Sequence, residues 1–161
     1  MSLFNRRTVL FVPLALAACG FAPAYGPGGA AAGLQGRIRV ADPTDKLGFD
    51  LVERLEERLG RPEAPKFDLA YTINTRIETL AITPADAITR YHLQGTIDWT
   101  LTDRSTGQRA TGGTVQGFTA YSATGSTVAG LAAEQDAAFR LMRMLADQIV
   151  TKLIATAGTW A

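Results

Sequence analysis

Few side chains in this chain of 161 residues are of a type that does chemistry, and their spacing limits what that chemistry is. His92 is the only histidine, and it stands three same-face positions from Asp98 in an alternating run, so no hydrogen bond between them follows. Ser105, Ser122 and Ser126 lie on other segments, and a Ser-His-Asp triad is a matter of geometry that this spacing does not supply. One histidine and one cysteine leave only scattered carboxylates as metal ligands, so no metal site is expected. Gly26-Pro27-Gly28-Gly29 lacks both the preceding strand and the following Lys-Ser/Thr of a phosphate-cradling loop. The expectation is a non-enzyme without catalytic residues, metal or cofactor. The remaining reactive group is the thiol of Cys19, the chain's single cysteine, which has no disulfide partner.

The position of Cys19 gives it a role. Residues 1–7 carry Arg6 and Arg7 without an acid, and residues 8–18 are apolar apart from Thr8, with a break at Pro13. That is the charged head and apolar middle of a signal peptide. The apolar run falls short of the roughly 20 residues that span a bilayer as a helix. Leu16-Ala17-Ala18-Cys19 resembles the lipobox of bacterial lipoproteins, which implies cleavage before Cys19 and acylation of its sulfur and its new amino group. One acyl chain anchors marginally and several anchor lastingly, since each buried methylene contributes about 0.8 kcal/mol. Gly20 follows, where an aspartate in enteric lipoproteins signals retention at the inner membrane, so delivery to the outer membrane is expected.

Removal of residues 1–18 takes away two arginines and leaves acids in slight excess. No large field recommends nucleic acid as a partner. The expected division is a signal peptide over 1–18, a Gly-, Ala- and Pro-rich tether over 19–36, and one domain over 37–161.

The elements that would position any site follow from periodicity. Ile38 and Val40 alternate with arginines in a short strand. Asp42-Pro43 reads as N-cap and first helical residue, and Leu47, Leu51, Leu55 and Leu59 recur every four residues up to Gly60, with Asp50 placed off the apolar stripe. From Phe67 the period is two: Phe67, Leu69, Tyr71, Ile73 and Ile77 share one face, as do Tyr91, Leu93, Ile97, Trp99 and Leu101 after a turn at 83–86. Both sets are odd-numbered, so facing residues must sum to an even number and the connecting loop must hold an odd count or a bulge. A sum of 168 would set Glu78 opposite Arg90, Tyr71 opposite Ile97 and Arg76 opposite His92. A third strand from Arg109 to Tyr121 changes parity between Val115 and Phe118, which a bulge at Gly117 would explain. Val128, Leu131, Ala138, Met142, Leu145, Ile149 and Leu153 then mark one long amphipathic helix to about Thr156.

The predicted fold is α+β: a two-layer sandwich in the order β-α-β-β-β-α, with a four-stranded, mostly antiparallel sheet and two helices on one face. The other sheet face stays polar. Arg76, Arg90, His92 and Asn74 lie on it, and it is either a merely hydrated surface or a binding surface.

Cys19-Gly20-Phe21, Tyr25-Gly26, the Tyr91-His92-Leu93 strand start and the stretch from Tyr121 through Ala132, Glu134 and Asp136 into the last helix resemble the LptE family of lipopolysaccharide-assembly lipoproteins. The resemblance spans the mature chain by order of elements. It implies a plug in the lumen of the outer-membrane barrel LptD, help in that barrel's assembly, and lipopolysaccharide as a second partner. In the family, basic residues near the hairpin loop and before the last helix are linked to lipopolysaccharide contact. Here neither 80–89 nor 116–136 holds a lysine or arginine, so Arg76 and Arg90 stand as the candidate contacts. The rival reading is an envelope lipoprotein that binds a small ligand or serves as an enzyme accessory in the periplasm.

Overall fold

The computed structural model describes residues 26, 29, 31, 33–82, 88–123 and 126–160. Cys19, the signal segment and the turn at 83–87 lie outside the described residues.

Strand β1 (Ile38–Val40) leads into helix α1 (Lys46–Leu59); strands β2 (Phe67–Ile82), β3 (Ile88–Asp103) and β4 (Arg109–Ser122) follow, and helix α2 (Thr127–Thr156) ends in a short 3-10 turn, Ala157–Thr159. The sheet order is β1-β2-β3-β4, with β1 parallel to β2 and the other pairs antiparallel. The parallel pair exists because α1 carries the chain back to the end at which β1 began. The expected two-layer α+β architecture is the one observed.

Local chemistry explains the boundaries. Asp45, three residues beyond the expected Asp42, caps α1 by accepting from Gly48 N at 2.7 Å. Asp42 instead reaches Arg39 at 3.9 Å. Gly60 closes the helix at φ 77° and donates to Glu56 O at 2.9 Å, a left-handed end that suits glycine. Ser126 caps α2 through Ala129 N at 3.3 Å. In the β3–β4 turn, Gly107 takes φ 68° and the Asp103 carboxylate accepts from Ser105 N, Ser105 Oγ and Thr106 N.

Both helices lie on the odd-numbered face of the sheet. Leu51, Leu55 and Leu59 of α1 and Leu141, Met142, Leu145, Ile149 and Leu153 of α2 meet Ile38, Leu69, Ile97, Trp99, Leu101 and Val115 in one core. Ala31 and Leu34, within the stretch read as tether, are also buried in it. Asp50, expected off the apolar stripe, is 3% exposed, and its carboxylate is answered by Lys46 one turn earlier.

The parity argument for the long hairpin holds: Ile82 pairs with Ile88 across a five-residue turn, 83–87. The register is shifted from 168 to 170, which sets Tyr71 opposite Trp99, Glu78 opposite His92 and Arg76 opposite Gln94. An irregularity between Thr79 and Ala81 moves Arg90 opposite Ala81. No bulge occurs at Gly117, which pairs squarely with Gly95; the β3–β4 register shifts instead between Leu101 and Thr102. Phe118 therefore keeps its even parity and points outward, 61% exposed.

Gly95 and Gly117 form a depression in the sheet, and α2 fills it. A Cβ on Gly95 would stand 3.0 Å from both Leu141 Cδ2 and Leu145 Cδ1, and one on Gly117 would stand 2.5 Å from Met144 Cε. The same helix ties off the outer edge of β4. Arg140 Nη2 donates to Ala120 O at 3.4 Å, Gln148 Nε2 to Gln116 O at 3.3 Å and Lys152 Nζ to Thr114 O at 2.6 Å. The steps match because four helical residues rise about 6 Å and two strand residues about 6.6 Å. At the opposite edge β1 covers β2 only from Phe67 to Leu69, and beyond Leu69 no described strand borders β2 on that side.

Candidate functional site

Alternation gives the sheet a second face that no described helix covers. Thr72, Asn74, Arg76, Gln94, Asp98, Thr114 and Gln116 project from it and are exposed. Most are hydroxyls and amides, and the charges among them are mutually engaged. Arg76 Nε lies 3.8 Å from Glu78 Oε1, Gln94 Nε2 donates to Glu78 Oε2 at 2.7 Å, and Thr114 Oγ1 donates to Asp98 Oδ1 at 2.5 Å. His92 rests against Phe118 with ring centroids 4.9 Å apart. Between Gln94, Thr96, Gln116 and Phe118 a shallow groove of about 370 Å³ opens on this face.

At the hairpin end the helix-side face is incompletely closed. Ile77, Val128 and Leu131, expected in the core, are 47%, 77% and 57% exposed. The cause is length: α1 has 14 residues against 16 in β2, and the core-lining part of α2 begins only at Ala137. A groove of about 490 Å³ opens there between Ile77, Tyr91, Tyr121, Gly130 and Leu131. Tyr91 and Tyr121 stack in its floor at 5.2 Å. Burial raises the Tyr121 phenol pKa and the Glu134 carboxylate raises it further, so the ring remains a neutral apolar wall.

The sequence-predicted site residues are placed as follows. Arg76 and Arg90 share the uncovered face, and both are exposed. The 168 register would have set Glu78 opposite Arg90 and left Arg76 the freer guanidinium; in the observed register Arg76 leans on Glu78. His92 has Phe118 as its neighbour, Ser105 is held by Asp103, Ser122 pairs with Arg90 at the end of β4 and Ser126 caps α2, so these residues stand on separate elements. Among the described residues there is no cluster of three metal-ligating side chains. Also among them, no helix is long and apolar enough to cross a membrane. Sequence reasoning missed the outward Phe118 and the open groove. The parity of Phe118 was the available signal for the first, and a glycine next to it drew the wrong explanation.

Among the described residues, a sheet with one face packed on two helices and the other open and mostly polar defines a two-layer α+β sandwich. The LptE family model, described as lipopolysaccharide-assembly, matches residues 36–153, and the chain belongs to that family. The family is one of non-enzymatic assembly proteins. Solved structures share the fold. A Caulobacter crescentus protein named as a lipoprotein is 24% identical with a TM-score of 0.69, covering 83% of this chain and 98% of its own. Rare lipoprotein B from Shewanella oneidensis is 16% identical with a TM-score of 0.58, covering 74% and 93%. A minor lipoprotein from Acinetobacter baumannii is 19% identical with a TM-score of 0.55, covering 74% and 90%. No curated protein sequence matches the chain.

Proposed function

We propose that this chain is an outer-membrane lipoprotein, anchored through acylated Cys19, that plugs the lumen of an LptD-type barrel, assists that barrel's assembly and helps deliver lipopolysaccharide to the outer leaflet. The observation that carries the reading is the uncovered sheet face, rich in hydroxyl and amide groups across β2, β3 and β4. A water-filled barrel lumen is polar, and a plug seated in it should match that polarity while burying few unpaired charges. The ion pair Arg76–Glu78 and the Asp98 carboxylate hydrogen-bonded by Thr114 suit such a wall. Family membership supplies the connection to lipopolysaccharide assembly. Arg76 and Arg90, both near the hairpin end, are the proposed contacts for the lipid's phosphates.

Affinity purification of the tagged protein from detergent-solubilised outer membranes tests the reading. A barrel protein in equimolar amount is the expected companion, and intact-mass analysis should show a triacylated Cys19. A chain that purifies without a barrel, or with a soluble periplasmic enzyme, would favour the accessory reading instead.

A further inference from the structure

We propose that the tether-side end of the sheet, away from the long hairpin, is a contact for anionic phospholipid headgroups. This rests on the anchor at Cys19, which determines which end is held near the bilayer.

The topology gathers three cations at that end. Arg37 directly precedes β1, Lys66 directly precedes β2 and Arg104 directly follows β3. Backbone bonds hold them together: Lys66 N donates to Arg37 O at 2.8 Å, and Arg104 N donates to Lys66 O at 2.9 Å. All three residues are exposed, and all line one open cavity of about 700 Å³. Among the described residues its only lining carboxylate is Asp103, one oxygen of which accepts from Ser105 and Thr106. Arg104 also leans on Asp68 at 3.4 Å. In a mature chain with acids in slight excess, three cations against the two carboxylates Asp103 and Asp68 leave a local positive surface.

The cavity also has an apolar wall suited to the lipid interface. Trp160 lies there, half-buried, edge-on to Phe67 at 5.1 Å, with its indole N–H donating to Thr156 Oγ1. An indole beside cations is the combination enriched at headgroup level. The tether enters at the same place, since Gly33 lines the cavity. The fourteen residues of chain from Cys19 to Gly33 reach at most about 50 Å. The hairpin end lies a further strand length away, about 50 Å for a strand of this kind. An acylated Cys19 would therefore hold Arg37, Lys66 and Arg104 within reach of the leaflet that anchors it.

The test uses the chain from residue 19 with Cys19→Ser, so that any membrane contact is independent of acylation. Co-sedimentation with vesicles of phosphatidylcholine containing phosphatidylglycerol should show salt-sensitive binding, and pure phosphatidylcholine should show little. Each cation near an anionic surface contributes about fivefold, so Arg37→Glu with Lys66→Glu should weaken partitioning by about 25-fold or more. The charge-keeping pair Arg37→Lys with Lys66→Arg should retain it, which separates charge from folding. The proposal is overturned by equal binding to both vesicle types, by no binding to either, by charge-reversed protein that binds as before, or by displacement with inorganic phosphate alone. Intact-mass analysis of the protein with its cysteine reports the anchor separately, so failure of that premise is read independently of the vesicle result.

Discussion

Arg54 of α1 and Asp147 of α2 meet fork to fork, with Nε to Oδ1 at 3.1 Å and Nη2 to Oδ2 at 3.0 Å. Arg58 approaches the same carboxylate at 3.5 Å, and Glu57 bridges Arg54 and Arg143 at 2.7 and 3.1 Å. The network joins the two helices on the side away from the sheet. Its bonds to Asp147, then to Glu57, raise the Arg54 pKa, so this guanidinium stays charged at every accessible pH.

Arg54→Lys keeps the charge and loses the two-pronged geometry. With Asp147 38% exposed, solvent screening limits the loss to about 1 kcal/mol, a fall of about 2–4 °C in melting temperature. Calorimetry at low and high salt checks this: the gap between wild type and variant should narrow as salt rises.

Acid should loosen the same network. The Arg54 hydrogen bond holds the Glu57 carboxyl below its ordinary range, and the Ser105 hydroxyl does the same for Asp103. A depressed pKa contributes stability that is complete above the ordinary value and is lost as pH falls through the folded value. Urea midpoints should therefore drop between pH 5 and pH 3, and Glu57→Gln should flatten that drop.

The glycine pair offers a test of packing at single-atom resolution. Gly95→Ala meets two branched leucine side chains and should cost about 1–3 kcal/mol. Gly117→Ala meets the far end of a flexible methionine and should cost less, even though its nominal contact is shorter. Equal losses in denaturant titrations would show that Met144 is as constrained as the leucines.

The two sheet faces should respond differently to substitution. Thr96→Trp changes the uncovered face and should leave the melting temperature nearly unchanged while weakening recovery of the barrel. Leu93→Asp places an unpaired charge at a position 5% exposed and should remove several kcal/mol from a total of roughly 5 to 15. Equal destabilisation by both would show that the outer face is also needed for folding.

For lipopolysaccharide contact, Arg90→Ala should weaken binding more than Arg76→Ala, because Glu78 offsets the field of Arg76. Titration of purified lipopolysaccharide against both variants at two salt concentrations measures the order. The reverse order would mean that Arg76 leaves Glu78 when the lipid arrives.

The element order, the polar face and the odd-numbered core of the long hairpin were legible because β2 and β3 keep a period of two and the leucines of α1 a period of four. What failed was pairing. Even parity fixed which faces meet, but 168 and 170 satisfy it equally, and the choice lies in the turn at 83–87 and the irregularity beside it. That two-residue difference moved the partner of Glu78 from Arg90 to His92 and so changed the argument about Arg76. Burial of Asp50 was invisible for a related reason, since periodicity within α1 does not show that Leu131, Glu134 and Ala138 of α2 lie beside it. Val128, Leu131 and Ile77 follow the apolar pattern and are exposed nonetheless, as periodicity assigns a side and not a partner to cover it.

The unequal edges of the sheet determine how this protein can associate with itself. Arg140, Gln148 and Lys152 occupy edge carbonyls of β4, while β2 runs on past Leu69 with no described strand beside it. In the vocabulary of polymer chemistry the described residues form a monofunctional unit: one edge is open, and the other is capped by its own helix. Open edges on two such units pair back to back and close as an isologous dimer, whereas a growing fibril needs a donor edge and an acceptor edge on every unit. A domain with long strands and a bare face can thus remain in the envelope without seeding a chain of copies of itself.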